Sequence, residues 1–262
     1  MRDHYLQAMG ITRWVKRELE PVSVDAFDTQ QEAENLPALD VVVPEEPVAL
    51  DDAAIPVPNE VELTVVQTED SHALDGLDWP SLEKQVATCM ACDLHATRTQ
   101  TVFGEGEQHA DWLIVGDAPG TEEDLQGRPF LGQGGQLLTA MIEAMGLKRE
   151  QVYITNSLKC RPPESRDPVE GEMIACHVFL KRQIELLQPK VILAVGRVAA
   201  HNLLNSNEPM KTMRGEAFTY KDTGIPVVVT YHPAYLLRAP SNKGKAWQDL
   251  KRAMRIVEGE SS

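Results

Sequence analysis

Residues 81–258 predict an α/β domain of three layers, with helices on both faces of a central parallel sheet of about four strands, and a disordered acidic linker is expected before it. Two observations carry this reading. Apolar, β-branched runs alternate with segments of helical spacing after residue 80, and the acidic charge of the chain is concentrated in the residues before it. The net charge is −15 over 262 residues, yet residues 21–80 alone hold fifteen acidic side chains, no Lys or Arg, seven prolines and one glycine. Such a stretch buries too little apolar surface to offset its chain entropy. Residues 81–262 carry twenty-two acidic against twenty-one basic side chains. The acidity of the whole therefore does not exclude nucleic-acid binding by the folded part, where local patches decide.

The strands come first. "DWLIVGD", "QVYITNSLK", "KVILAVG" and "IPVVVTYHP" are short apolar runs, each ending in a Gly or Pro turn or a polar loop. Between them "GGQLLTAMIEAMG" is helical in spacing and closed by Gly146, "VEGEMIACHVFLKRQIELLQP" is closed before Pro189, and "RVAAHNLL" follows Gly196. Strand and helix in alternation imply a parallel sheet covered on both faces. "RGEAFTYKDTGIPVVV" predicts a hairpin turning at Asp222-Thr223-Gly224. Apolar runs fall short of the roughly 20 residues that span a bilayer, and the N-terminus lacks the pattern of a secretory leader. A soluble intracellular protein is expected.

Ligands of open α/β sheets bind outside the carboxyl ends of the strands. That rule gathers the loops at 116–132, 156–166, 196–198 and 231–240 round one crevice. The first of them, "VGDAPGTEEDLQGRPFLG", looks like a phosphate turn, but it offers Asp117, Glu122, Glu123 and Asp124 and no lysine. Arg161 and Arg238 fall in or after the crevice loops as candidate DNA contacts, with Arg166, Arg197, Lys243 and Lys245 beside them. The loop "HPAYLLRAP" offers Tyr235, Leu236 and Leu237 as a wedge into a duplex.

The four cysteines follow the pattern C-x2-C-x67-C-x15-C, as Cys89, Cys92, Cys160 and Cys176. No thiol is left over. A tetra-Cys metal site is expected, either a [4Fe-4S] cluster or a structural zinc, against buried reduced thiols that merely pack. The wide second spacing favours the cubane, because zinc sites usually pair two short knuckles.

"C-x2-C", "VFGEG", "VGDAPGTEED", "GRPFLG", "YITNSLKCRPP", the later cysteine, "LAVG" and "HPAYLLR" occur in this order over about residues 84–257. In this the chain resembles family 4 uracil-DNA glycosylases, the iron–sulfur type. The resemblance implies a uracil-DNA glycosylase-like fold and hydrolysis of the N-glycosidic bond of flipped deoxyuridine in DNA. It implies that Phe130 stacks on the base, that the Asn156 amide reads its Watson–Crick edge, that Ala118 and Glu123 border the base with Glu123 near C5, and that Asp117 and His232 flank the glycosidic bond. Cys89, Cys92, Cys160 and Cys176 are implied as cluster ligands. One departure stands out: the family's first motif commonly has Glu where this chain has Asp117, which retracts the charge by about a bond length. Chemically, an Asn amide matches uracil at O4 and N3–H and mismatches cytosine at both. A neutral histidine donating to O2 and an ionised carboxylate near the sugar suit the charges that develop as the bond breaks.

The first twenty residues differ from the linker. Tyr5, Leu6, Met9, Ile11 and Trp14 form an apolar set before Lys16-Arg17, the character of a peptide that folds on contact with a partner. Through "LQAMGITRW" they resemble the N-terminus of the psi subunit of bacterial DNA polymerase III, which implies the clamp loader or the chi subunit as partner, held through Leu6, Ile11 and Trp14. The expected organisation is thus a peptide at 1–20, a linker at 21–80 and a glycosylase-like domain at 81–258, in a monomer of the bacterial cytoplasm associated with the nucleoid. Two other readings stay open at this point: a psi-like adaptor whose domain is inactive or only binds DNA, and a zinc-stabilised nucleotide-binding domain.

Overall fold

A computed structural model of the chain describes residues 74–259. The N-terminal peptide, with Leu6, Ile11 and Trp14, and residues 21–73 of the expected linker lie outside the described residues. The described chain runs α1 (Trp79–Ala87), β1 (Glu105–Gly106), β2 (Trp112–Gly116), α2 (Thr121–Gln126), α3 (Gln133–Ala144), β3 (Tyr153–Asn156), α4 (Glu170–Leu187) and β4 (Val191–Val195). It continues with α5 (Arg197–Leu204), α6 (Met210–Met213), β5 (Phe218–Thr219), β6 (Pro226–Thr230), α7 (Pro233–Arg238) and α8 (Lys243–Val257).

The sheet has the order β1-β3-β2-β4-β6-β5. Its four central strands are the four read from the sequence, and all are parallel. Two antiparallel edges of two residues each were not all foreseen: β5 is the first arm of the expected hairpin, whereas β1 is new. Every residue of β2, β3 and β4 is buried, as expected of a parallel sheet covered on both faces. Alternation along β2 sends Trp112 and Ile114 into a core with α3 and α8, and Leu113 and Val115 into a core with α4 and α5. Burying each such side chain contributes about 1.5–3 kcal/mol.

The register fixes where the loops emerge. Gly116 pairs with Asn156 and Val195 with Thr230. Asp117, Asn156, Gly196 and His232 therefore leave the sheet at one edge.

Two boundaries differ from the sequence reading. The fold already includes residues from 74 onward: Leu74 packs in the core cluster that holds the cysteines, Leu77 O accepts from Arg182 Nε at 3.0 Å and Nη2 at 2.7 Å, and Asp78 caps α1 by accepting from Ser81 N at 3.0 Å. Residues 74–80, counted in the expected linker, are thus part of the fold. The segment read as an "HPAYLLRAP" loop is the helix α7, started by Pro233, whose fixed φ suits the first helical position. Among the described residues no helix is long and apolar enough to cross a membrane.

Candidate active site

The loops after β2, β3 and β6, with the start of α5, enclose a cleft of about 390 Å³ lined by Asp117, Glu123, Phe130, Asn156, His232 and Arg238 among others. Ala118 also lines it. It continues into a wider recess bordered by Arg197, Tyr231 and Tyr235.

Asp117 leaves β2 and reaches across to α5, where its Oδ1 accepts from Ala199 N at 2.8 Å. It is held by the N-terminus of α5 and does not cap α2, the helix that follows it in the chain. Burial pushes its carboxyl up to about 6, against the pull of the Ala199 N–H and of Arg197. Gly196 makes room for it. A Cβ there would lie 2.6 Å from Oδ1, and the residue's φ of +115° suits only glycine.

Phe130 and Asn156 meet above the end of β2. A Cβ on Gly116 would lie 2.4 Å from Phe130 Cζ and 2.5 Å from Asn156 Oδ1, so glycine is what lets ring and amide close on the same space. Phe130 has φ of +54°, a left-handed conformation that costs a non-glycine residue about 1–3 kcal/mol. Three contacts hold it. Arg149 Nη2 donates to Pro129 O at 2.7 Å and to Phe130 O at 3.3 Å, and Leu131 N donates to Glu123 Oε1 at 3.0 Å. The ring lies nearly parallel to that of His232, at a centroid distance of 5.6 Å.

His232 caps α7. Its Nδ1 faces Ala234 N at 3.2 Å, and a backbone N–H can only donate, so Nδ1 accepts. The proton of the neutral ring is then on Nε2. Burial, with Arg238 nearby, lowers the imidazole to about 4 and keeps it neutral above that pH.

Asn156 is buried, and its backbone carbonyl accepts from Lys159 Nζ at 2.9 Å. Lys159 is fully enclosed. Its ammonium also donates to Thr155 Oγ1 at 2.5 Å and Gln183 Oε1 at 2.6 Å, which uses all three protons. Neither Lys159 nor Arg149 was named from the sequence. Nothing local marks them, because the acceptors of Arg149 and the Gln183 that encloses Lys159 are brought by other segments.

The residues expected to contact DNA divide. Arg238 lines the cleft and Tyr235 its continuation, whereas the half-buried Arg161 lines neither. Leu236 corrects the reading of the wedge: it is fully buried in the core with α3 and α8, because α7 turns it inward. Its neighbour Leu237, 39 % exposed, is the leucine that faces out. Arg166 and Arg197 are committed to Glu172 and Asp167, both at 2.5 Å.

Behind the cleft the four cysteines line one pocket, with Arg98 and Phe179. Among the described residues no group of three or more His, Cys, Asp or Glu side chains is placed to hold a single metal ion. Arg98 Nη1 donates to Cys160 Sγ at 3.0 Å and Lys159 N to Cys176 Sγ at 3.2 Å. Burial pushes the Cys176 thiol up to about 12. A thiolate in so apolar a pocket needs a cationic partner. A donor set of four sulfurs, already met by N–H groups, fits a cluster with several irons better than one zinc.

Fold and site together define a member of the uracil DNA glycosylase superfamily, whose family model matches residues 103–251. The chain is 40% identical over 185 residues to a type-4 uracil-DNA glycosylase of Archaeoglobus fulgidus, covering 68% of this chain and 92% of that one. It is 41% identical over 191 residues to that of Sulfurisphaera tokodaii, covering 70% and 86%, and 40% identical over 182 residues to that of Thermotoga maritima, covering 68% and 94%. The chain belongs to the type-4 uracil-DNA glycosylase family.

Proposed function

We propose that the protein hydrolyses the N-glycosidic bond of deoxyuridine flipped out of DNA, releasing uracil. The observation that carries this is the meeting of Asp117, Phe130, Asn156 and His232 in one cleft, with the Nε2–H of a neutral histidine free to donate. Phe130 stacks on the extruded base, and Asn156 pairs with O4 and N3–H. Cytosine offers the reverse polarity at both positions, and leaving the buried amide unpaired costs it on the order of 10⁴ in rate. Glu123, fixed by Leu131 N, borders the base where thymine carries its methyl.

As the bond lengthens, the pyrimidine becomes anionic and the sugar cationic. His232 stabilises the first by donating to O2. Asp117, ionised above about pH 6, stabilises the second or positions the attacking water. Each is worth roughly 2.7–4 kcal/mol in a dry, preorganised site. The shorter carboxylate at position 117 is seated on Ala199 N, which fixes its aim.

Cys89, Cys92, Cys160 and Cys176 hold a [4Fe-4S] cluster, which binds α1, the loop after β3 and α4 to one another. Tyr235, Leu237 and Arg238 meet the DNA beside the cleft. The N-terminal peptide tethers the enzyme to the clamp loader of the replication machinery.

The test is excision from an end-labelled uracil oligonucleotide followed by alkaline cleavage, with wild type, Asp117→Asn and His232→Ala prepared identically. Activity that falls by about 10² or more in both variants is the expected result. Cleavage indifferent to both substitutions rejects the site.

A further inference from the structure

A second depression of about 720 Å³ lies between α4 and α5, outside the catalytic cleft. Its walls include Met173, Ile174 and Val178 from α4, and Asn202 from α5 with Asn205 and Asn207 just beyond. Lys221 also lines it. It is continuous with the cleft: Pro168 and Val198 line both, and Arg197 lines both the depression and the recess beside the cleft.

We propose that this groove binds an unpaired nucleotide adjacent to the excised one on the same DNA strand, a reading that rests on the glycosylase assignment. Three observations carry it. The first is a hydrogen-bond chain that leaves one donor unused. Lys221 Nζ, which can only donate, faces His177 Nε2 at 2.8 Å, so the ring proton is on Nδ1 and is given to Asn202 Oδ1 at 3.1 Å. The Asn202 amide is thereby oriented, and its Nδ2 is buried without a partner. A base edge supplies the missing acceptor.

The second is the apolar wall. Ile174 is 57 % exposed on a helix whose other large apolar side chains mostly pack inward, and a base face covers such a surface. The third is charge. Lys221 brings its ammonium to the groove beside the His177 ring, and Arg197, paired with Asp167, borders it as well. A phosphate gives Lys221 an anionic partner. The shared lining selects the occupant: Pro168, Arg197 and Val198 border the groove and the spaces beside Asp117, so a strand leaving Asp117 past Arg197 reaches the groove.

The experiment compares excision of uracil from single strands of about fifteen nucleotides whose residues flanking the deoxyuridine are either ordinary nucleotides or abasic tetrahydrofuran residues, for wild type and for Ile174→Ser and Asn202→Ala. Wild type gains about tenfold in kcat/KM from the flanking bases, the order of one stacked base. Each variant loses most of that gain and keeps the rate on the abasic-flanked strand, which also reports that its fold and catalytic site are intact. Variants that follow wild type on both substrates overturn the proposal, as does a wild type that gains nothing from the flanking bases. Absence of excision from either substrate by wild type overturns the glycosylase reading itself, and this inference with it.

Discussion

Asp117→Asn should make the enzyme slower and more stable at once. With its carboxyl pushed up to about 6, Asp117 is roughly nine-tenths ionised at pH 7 and roughly one-tenth at pH 5. On the proposed mechanism the charge that faces the cationic sugar is the ionised form, so the rate should rise with pH. Single-turnover excision should climb roughly tenfold between those two values and then level off. His232, lowered to about 4, stays neutral across the same range and adds no second limb there. In Asp117→Asn the limb disappears and the rate is lower by on the order of 10²–10³. Stability moves the other way. A carboxyl whose pKa is raised by folding binds more protons in the native than in the unfolded chain between about pH 4 and 6, so stability falls as pH rises through that window. The whole shift corresponds to about 3 kcal/mol at 1.36 kcal/mol per pH unit, and partial exposure of the residue reduces this to about 1–2 kcal/mol. The amide keeps an oxygen for Ala199 N without the charge, so Tm above pH 7 should rise by a few degrees. Rates by gel quantitation and melting curves over about pH 4.5–8 decide the matter. An acid limb centred near 4, or one that survives in Asp117→Asn, refutes the assignment.

Three further outcomes follow from the same geometry. Arg149→Met releases the Pro129 and Phe130 carbonyls, and the left-handed Phe130 loses its support; excision should fall about tenfold with a stability loss of about 1–3 kcal/mol, measured by kinetics and urea melts. Cys176→Ser should remove the broad absorbance near 400 nm of the purified protein, and a spectrum equal to wild type would take Cys176 out of the ligand set. Leu236→Ala should cost about 2–5 kcal/mol of stability as a core deletion, whereas Leu237→Ala leaves the melt unchanged and slows excision from duplex more than from single strands; the opposite pattern would reverse their roles.

How far the sequence disclosed this structure depended on where each residue's partners lie. The four central strands were legible because β-branched runs bounded by Gly and Pro carry their signal locally. So were Asp117, Asn156 and His232, since the carboxyl ends of parallel strands converge whatever the details. β1 was not legible: Glu105 and Gly106 are strand only because Ile154 and Tyr153 lie beside them. The adjacent leucines of α7 show the same limit. In a loop either can face out, and only once Pro233 starts a helix does the turn send Leu236 to the core and Leu237 to the surface; a proline after a strand was the available signal. Lys159 was hidden more deeply. Lysine is almost always exposed, and Gln183, which receives one of its protons, lies 24 residues away on α4.

Those remote partners explain why the cleft can be both strained and specific. Each of these groups lining the cleft is aimed by an element distant in sequence or by its own cap: Asp117 by the start of α5, Phe130 by Arg149 beyond α3, His232 by the first turn of α7, and the Asn156 backbone by a lysine locked against α4. A carboxyl raised toward 6, an imidazole lowered toward 4 and a phenylalanine at positive φ are each unfavourable alone. They persist because the close-packed sheet and its helices leave the supporting groups nowhere else to go. The same rigidity makes the site intolerant of small substitutions at Gly116 and Gly196, where one added carbon would collide with the ring and amide or with the carboxylate. Adding a methyl group at Gly116 should therefore damage excision more than it damages the fold, because the displaced atoms are the ring and amide that line the cleft, whereas at Gly196 the positive φ makes the fold suffer as well.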